Sequence, residues 1–137
     1  VFSGKTTIMI HLKRSLFLFF TLLAFAACRQ NGNIKTVDAA SFRKMSDTQN
    51  SMIIDVRHAD EFSEGHLEGA VNMDVEDPTF EEKIASLDRS KTYMVYCRAG
   101  HRSKKAANEM TEKGFKDVVN LDGGITSWID NGYPVTK

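Results

Sequence analysis

The sequence predicts an α/β domain built on a central, mostly parallel sheet of five strands flanked by helices. Three observations carry that reading. Short apolar or β-branched runs alternate with helix-favouring stretches along the chain, the pattern of repeated strand–helix–strand units. The runs Met52-Ile53-Ile54 and Tyr93–Tyr96 contain no polar alternation, as expected of parallel strands covered on both faces. The chain has 137 residues, and removing a leader through Ala27 leaves 110, enough for one core and one domain.

The elements follow in order. Ile34–Val37 reads as a short edge strand, and Asp38 or Ser41 can cap a short helix over Ala39–Met45. After a polar loop at 47–50, Ser51–Val56 is the second strand. Ala59–Glu64 is a short helix ended by Gly65, and Gly69–Met73 is a brief strand. Thr79–Leu87 is amphipathic, with Phe80, Ile84 and Leu87 on one face and Glu81, Glu82 and Lys83 mostly off it. Tyr93–Tyr96 is the fourth strand. Lys104–Lys113 is rich in helix formers, so a helix is expected over Ser103–Lys113, capped by Ser103 and closed by Gly114. Asp117–Leu121 is the last strand. Gly123-Gly124 turns the chain into a final helix, Ile125–Asn131, which Gly132-Tyr133-Pro134 stops.

The first 27 residues read as an address. Met9–Arg14 is a basic stretch, and Leu16–Ala27 is apolar throughout except for Thr21. Such a run is short for a membrane span, which needs about 20 residues, and fits a secretory signal peptide. Val1–Ile8 lies upstream of Met9, a candidate start. Phe25-Ala26-Ala27-Cys28 resembles a bacterial lipobox, in which Cys28 becomes acylated; the competing cut follows Ala24-Phe25-Ala26. The chain thus divides into a leader at 1–27, a tether at 28–36 and a domain at 37–137. The expected location is the periplasmic side of a bacterial membrane, through a lipid anchor only, or the soluble periplasm if the second cut is used.

Net charge is zero over the whole chain, but the leader holds three of the 18 basic residues and no acid. The remainder carries 15 Lys and Arg against 18 Asp and Glu, a balance that argues against nucleic-acid binding. Basic residues nevertheless crowd one place. Cys97 follows the fourth strand directly, and Arg98, His101, Arg102, Lys104 and Lys105 come within eight residues of it. Gly100 supplies the dihedral freedom with which a loop can turn its N–H groups inward. At the carboxyl end of a strand and the start of a helix, this is where ligands bind in open α/β sheets. A thiol there should have its pKa lowered from about 8.5 toward roughly 3.5–7.5. The duller role for Cys97 is a small apolar residue closing a buried strand.

These residues resemble the active-site loop of the rhodanese family of sulfurtransferases. Asp55-Val56-Arg57, Glu61-Phe62 and Gly65–Asn72 resemble its amino-terminal signature, and Leu121–Ile125 with Trp128 its carboxy-terminal one. The resemblance implies a three-layer rhodanese-like fold and a catalytic Cys97. It implies an active-site loop of Arg98, Ala99, Gly100, His101, Arg102 and Ser103, with Asp55 and Arg57 supporting the site through hydrogen bonds. Arg98 and Arg102 are the candidates for binding an anionic donor, since guanidinium matches oxyanions bidentately. His101 lies in the cradle. His66 is expected to be structural, His58 an exposed loop residue and Trp128 core packing.

The resemblance further implies transfer of a sulfane sulfur from thiosulfate or a similar small anionic donor, through a Cys97 persulfide, to a thiol, cyanide or a sulfur-acceptor protein. No metal or organic cofactor is expected. Two alternatives sit on the same fold. Related phosphatases and arsenate reductases use a C-x5-R loop, one residue longer than the Cys97-to-Arg102 spacing. Rhodanese-like domains also act as non-enzymatic binding modules, usually where the cysteine is missing.

Overall fold

The computed structural model describes residues 33–137; the leader and Cys28 lie outside them. Five strands form one sheet: β1 (Asn33–Val37), β2 (Ser51–Asp55), β3 (Val71–Asn72), β4 (Thr92–Tyr96) and β5 (Asp117–Leu121). Their order is β1-β5-β4-β2-β3. Every adjacent pair is parallel, so the sheet is wholly rather than mostly so. Among the described residues, four helices connect the strands, α1 (Ala39–Ser46), α2 (Ala59–Glu64), α3 (Phe80–Ala85) and α4 (His101–Glu112), and a fifth, α5 (Gly124–Asp130), follows β5. Among the described residues, no helix is long and apolar enough to cross a membrane.

The central strand explains the layers. Tyr93 and Val95 point into one core with Phe80, Ile84, Ala106, Ala107 and Met110, beneath α3 and α4. Met94 and Tyr96 point into the other with Ala39, Phe42, Ile125 and Trp128, beneath α1 and α5. Alternation along β4 therefore buries both of its faces. Trp128 is core: its ring meets Phe42 edge-on at 6.4 Å, and its Nε1–H donates to the Pro134 carbonyl at 2.9 Å.

Several boundaries differ from expectation, each for a local reason. The edge strand expected over Ile34–Val37 is β1, longer by one residue because Asn33 also pairs with β5, opposite Asp117. Asp38, not Ser41, caps α1, its carboxylate accepting from the Ser41 N–H at 2.8 Å. β3 shrinks to two residues because it touches only β2, through Ile54↔Val71 and Asp55↔Asn72. α4 begins at His101 rather than Ser103. Gly100, at φ 105°, is the residue before its first turn, so His101 and Arg102 are helical.

The strand order sets the location of the site. The chain leaves β2 toward β3 on one side and leaves β4 toward β5 on the other. The crevice beyond the carboxyl ends of β2 and β4 is thus a topological switch point. Asp55 and Tyr96 are register partners at those ends, and the Val56 N–H donates to the Tyr96 carbonyl at 3.0 Å.

Candidate active site

Cys97 continues β4 by one residue and is 2% exposed. Its Sγ accepts from the Gly100 N–H at 3.1 Å and from the Ser103 hydroxyl at 3.3 Å. Burial pushes the thiol upward and is the largest single influence. The Ser103 hydroxyl and the N–H groups of Ser103, Gly100 and Ala99 together outweigh it, and the thiol lies below its ordinary value. Two donors, the Gly100 N–H and the Ser103 hydroxyl, meet the sulfur at the amino end of a 12-residue helix, whose dipole adds in the same sense.

The loop keeps this shape because another helix fastens its outer side. The Ile125 N–H donates to the Cys97 carbonyl at 2.9 Å, and the Thr126 N–H to the Arg98 carbonyl at 3.2 Å. Two of the orphan donors at the start of α5 are satisfied in this way. The approach is close enough to require Gly124: a Cβ there would stand 2.4 Å from the Cys97 carbonyl oxygen. The sequence marked Gly123-Gly124 as a turn, and nothing in it marked this contact.

Asp55 and Arg57 form a buried pair at the tip of β2. The Arg57 Nε–H donates to Oδ1 at 2.9 Å, and Nη2–H to Oδ2 at 2.6 Å. Nη2 also reaches the Gly65 carbonyl at 2.8 Å, and the Arg57 N–H returns to Asp55 Oδ1 at 3.0 Å. Asn72 Nδ2 donates to the carbonyls of both Asp55 and Arg57. The pair locks the turn that follows β2 beside the cysteine loop.

The two arginines of the loop have different fates. Arg98 is exposed, and no side-chain hydrogen bond to it is seen among the described residues; His101 is the same. Arg102 is committed. Its Nη1–H and Nη2–H donate to the two carboxylate oxygens of Glu61 at 2.7 and 2.9 Å, with Glu76 a further 4.0 Å from Nη1. Hydrogen bonding to Arg102 holds the Glu61 carboxyl at about 2. This pairing spans 41 residues and carried no signal in the sequence.

The remaining histidines lie outside the cradle. His66 stacks on Phe62 at 3.7 Å, its Nδ1 lies 2.9 Å from the Phe62 carbonyl, and its backbone bridges Thr136. That is a structural role. His58 is exposed and precedes α2, its ring nitrogens facing Asp74 at 2.6 Å and Glu76 at 3.1 Å. These three could offer one ligand atom each to a cation, but both imidazole nitrogens already face carboxylates.

Comparison with known proteins gives a consistent picture. A family model described as rhodanese-like domain matches residues 38–131. The thiosulfate sulfurtransferase GlpE of Shewanella oneidensis is 34% identical over 85 residues, covering 62% of this chain and 82% of that protein. A sulfurtransferase of Allochromatium vinosum is 25% identical over 103 residues, covering 74% and 94%. Among solved structures, a rhodanese-related protein from Thermoplasma volcanium superposes with a TM-score of 0.66 at 31% identity, covering 74% of this chain and 97% of that one.

Proposed function

We propose that this chain, which belongs to the rhodanese-like domain family, is a sulfurtransferase that carries a sulfane sulfur on Cys97. The observation that carries the proposal is the convergence of the Gly100 N–H and the Ser103 hydroxyl on Sγ, at 3.1 and 3.3 Å, where α4 begins.

The chemistry follows from that arrangement. The Cys97 thiolate attacks the outer sulfur of a donor such as thiosulfate. The donor S–S bond breaks, its electron pair leaves with sulfite, and the terminal sulfur stays on Cys97 as a persulfide anion. A nucleophilic acceptor, cyanide or a thiol, then takes that sulfur and regenerates the thiolate. This is two-step covalent catalysis, with ping-pong kinetics as its signature. The same N–H groups that lower the thiol pKa stabilise charge on the persulfide, as a preorganised anion hole does. Neither step calls for a metal or organic cofactor.

Intact mass spectrometry after reduction and exposure to thiosulfate tests the reading. Wild type should gain one sulfur, and Cys97→Ser should gain none. A wild-type protein that stays unmodified fits a binding module instead, and one that cleaves an aryl phosphate without forming a persulfide fits a phosphatase. Export and acylation at Cys28 belong to the same proposal and are supported by the leader's basic and apolar pattern alone. Radiolabelled palmitate incorporated in wild type but not in Cys28→Ala would be the expected result.

A further inference from the structure

We propose that Glu61 sets the charge preference for the sulfur donor, withholding Arg102 from doubly charged donors and shifting the site toward singly charged ones. The proposal rests on the sulfurtransferase reading and narrows its substrate class.

The geometry makes the case. Arg102 lies five residues after Cys97, in the first turn of the helix that the cysteine loop opens. Hydrogen bonding to Glu61 favours its cationic form most, and the Cys97 sulfur and Glu76 add to that, so it sits within electrostatic reach of the sulfur. It would be a natural ligand for an oxyanion. Instead both terminal nitrogens are spent on Glu61, and each side chain of the pair is only 23% exposed. Glu61 is itself fixed, since its carboxylate accepts from the His58 N–H at 3.3 Å. Further out, Glu76 lies 3.1 Å from the His58 ring, whose other nitrogen faces Asp74. The nearest charges facing Arg102 are thus the carboxylates of Glu61 and, at 4.0 Å, Glu76, with the titratable His58 ring beyond them, and the guanidinium is already neutralised at close range.

A donor approaching Cys97 meets a matched ion pair where a bare cation would otherwise stand. The loss in attraction scales with the donor's charge. Thiosulfate carries two negative charges. Methanethiosulfonate presents the same terminal sulfur with one; attack by the Cys97 thiolate breaks its S–S bond, methanesulfinate leaves with the electron pair, and the persulfide anion remains.

The test compares kcat/KM for these two donors, with cyanide as acceptor, in wild type, Glu61→Gln and the double variant Glu61→Gln/Arg102→Gln. Glutamine preserves the shape of Glu61 and removes its charge. In Glu61→Gln, kcat/KM should rise about tenfold for thiosulfate and about threefold for methanethiosulfonate, the logarithms differing by the twofold ratio of charge. The double variant removes cation and anion together, so the ratio of thiosulfate to methanethiosulfonate kcat/KM should fall back from its Glu61→Gln value toward that of wild type; lacking a stranded charge, it also carries the test if the single variant does not fold.

A fall in thiosulfate kcat/KM in Glu61→Gln would overturn the proposal, as would equal gains for both donors or no change. A double variant crippled toward thiosulfate would do so too, because Arg102 would then be a donor ligand despite its partner. If wild type forms no persulfide with either donor, the sulfurtransferase reading fails beneath it. If persulfide forms and the donor ratio does not move, only the role of Glu61 fails.

Discussion

Replacing Gly124 by alanine should detach the reactive loop from the helix that fastens it. The added Cβ would lie 2.4 Å from the Cys97 carbonyl oxygen and 2.5 Å from the carbonyl carbon and oxygen of Arg98. All three are backbone atoms, so no side-chain rotation relieves the overlap. Ordinary contact begins near 3.4 Å, so loop and helix must separate by up to about 1 Å. That movement weakens the bonds from Ile125 and Thr126 to the same two carbonyls, each worth about 1 kcal/mol. Alanine at φ +59° adds roughly 1 kcal/mol of backbone strain. The sum is about 3 kcal/mol, a fall in Tm of roughly 10–20 °C for a domain of this size. Displacing the reactive sulfur by that distance should also slow persulfide formation by about 100-fold. Thermal unfolding followed by circular dichroism, with the rate of sulfur gain measured by mass, reads both effects. Gly132→Ala is the control, because Gly132 has a similar φ of +78° and nothing within 4 Å of its Cβ position. If Gly124→Ala loses no more stability than Gly132→Ala, the steric reasoning is wrong.

Two further perturbations separate the supports of the site. Ser103→Ala removes the hydroxyl donor to Sγ, a hydrogen bond to a charged acceptor worth about 1.5 kcal/mol, so the Cys97 pKa should rise. The thiolate is lost as pH falls through the thiol pKa, so the pH profile of alkylation by iodoacetamide should move to higher pH; an unmoved midpoint would exclude Ser103 from thiol control. Asp55→Asn leaves the buried Arg57 guanidinium without its bidentate partner, and should cost about 3 kcal/mol in urea unfolding. A loss below about 0.5 kcal/mol would show that the Gly65 carbonyl alone satisfies Arg57.

The strands were legible because burial writes itself into composition. Tyr93–Tyr96 missed only Thr92, since a parallel strand covered on both faces is apolar on both, and Asp117–Leu121 was bounded to the residue on its Val118, Val119 and Leu121 although it also buries the polar Asn120. Helix starts were harder. Ser103 looked like a cap, and its hydroxyl does accept a local role, donating within reach of both the Gly100 carbonyl and Sγ. The cap position fell to Gly100 because the chain needs a left-handed residue there to bring N–H groups back to the sulfur. At the candidate site the cysteine, glycine and basic residues stood in one contiguous stretch, which is why they could be read together. The Glu61–Arg102 pair and the contact that demands Gly124 depend on how separate segments meet. No local pattern encodes a meeting between residues 41 positions apart.

The depth of Cys97 has a consequence for traffic at this centre. Cys97 is 2% exposed, and another protein's disulfide, which must approach in line with bulky flanking chain, is poorly suited to so recessed a residue. A slim reagent is better suited to it. Under the proposed chemistry, loading moves the transferable atom outward by one S–S bond, about 2 Å. The empty form would then be shielded from mispairing, while the charged form offers its cargo at the doorway. Admission and delivery would be distinguished by length alone, with no moving part.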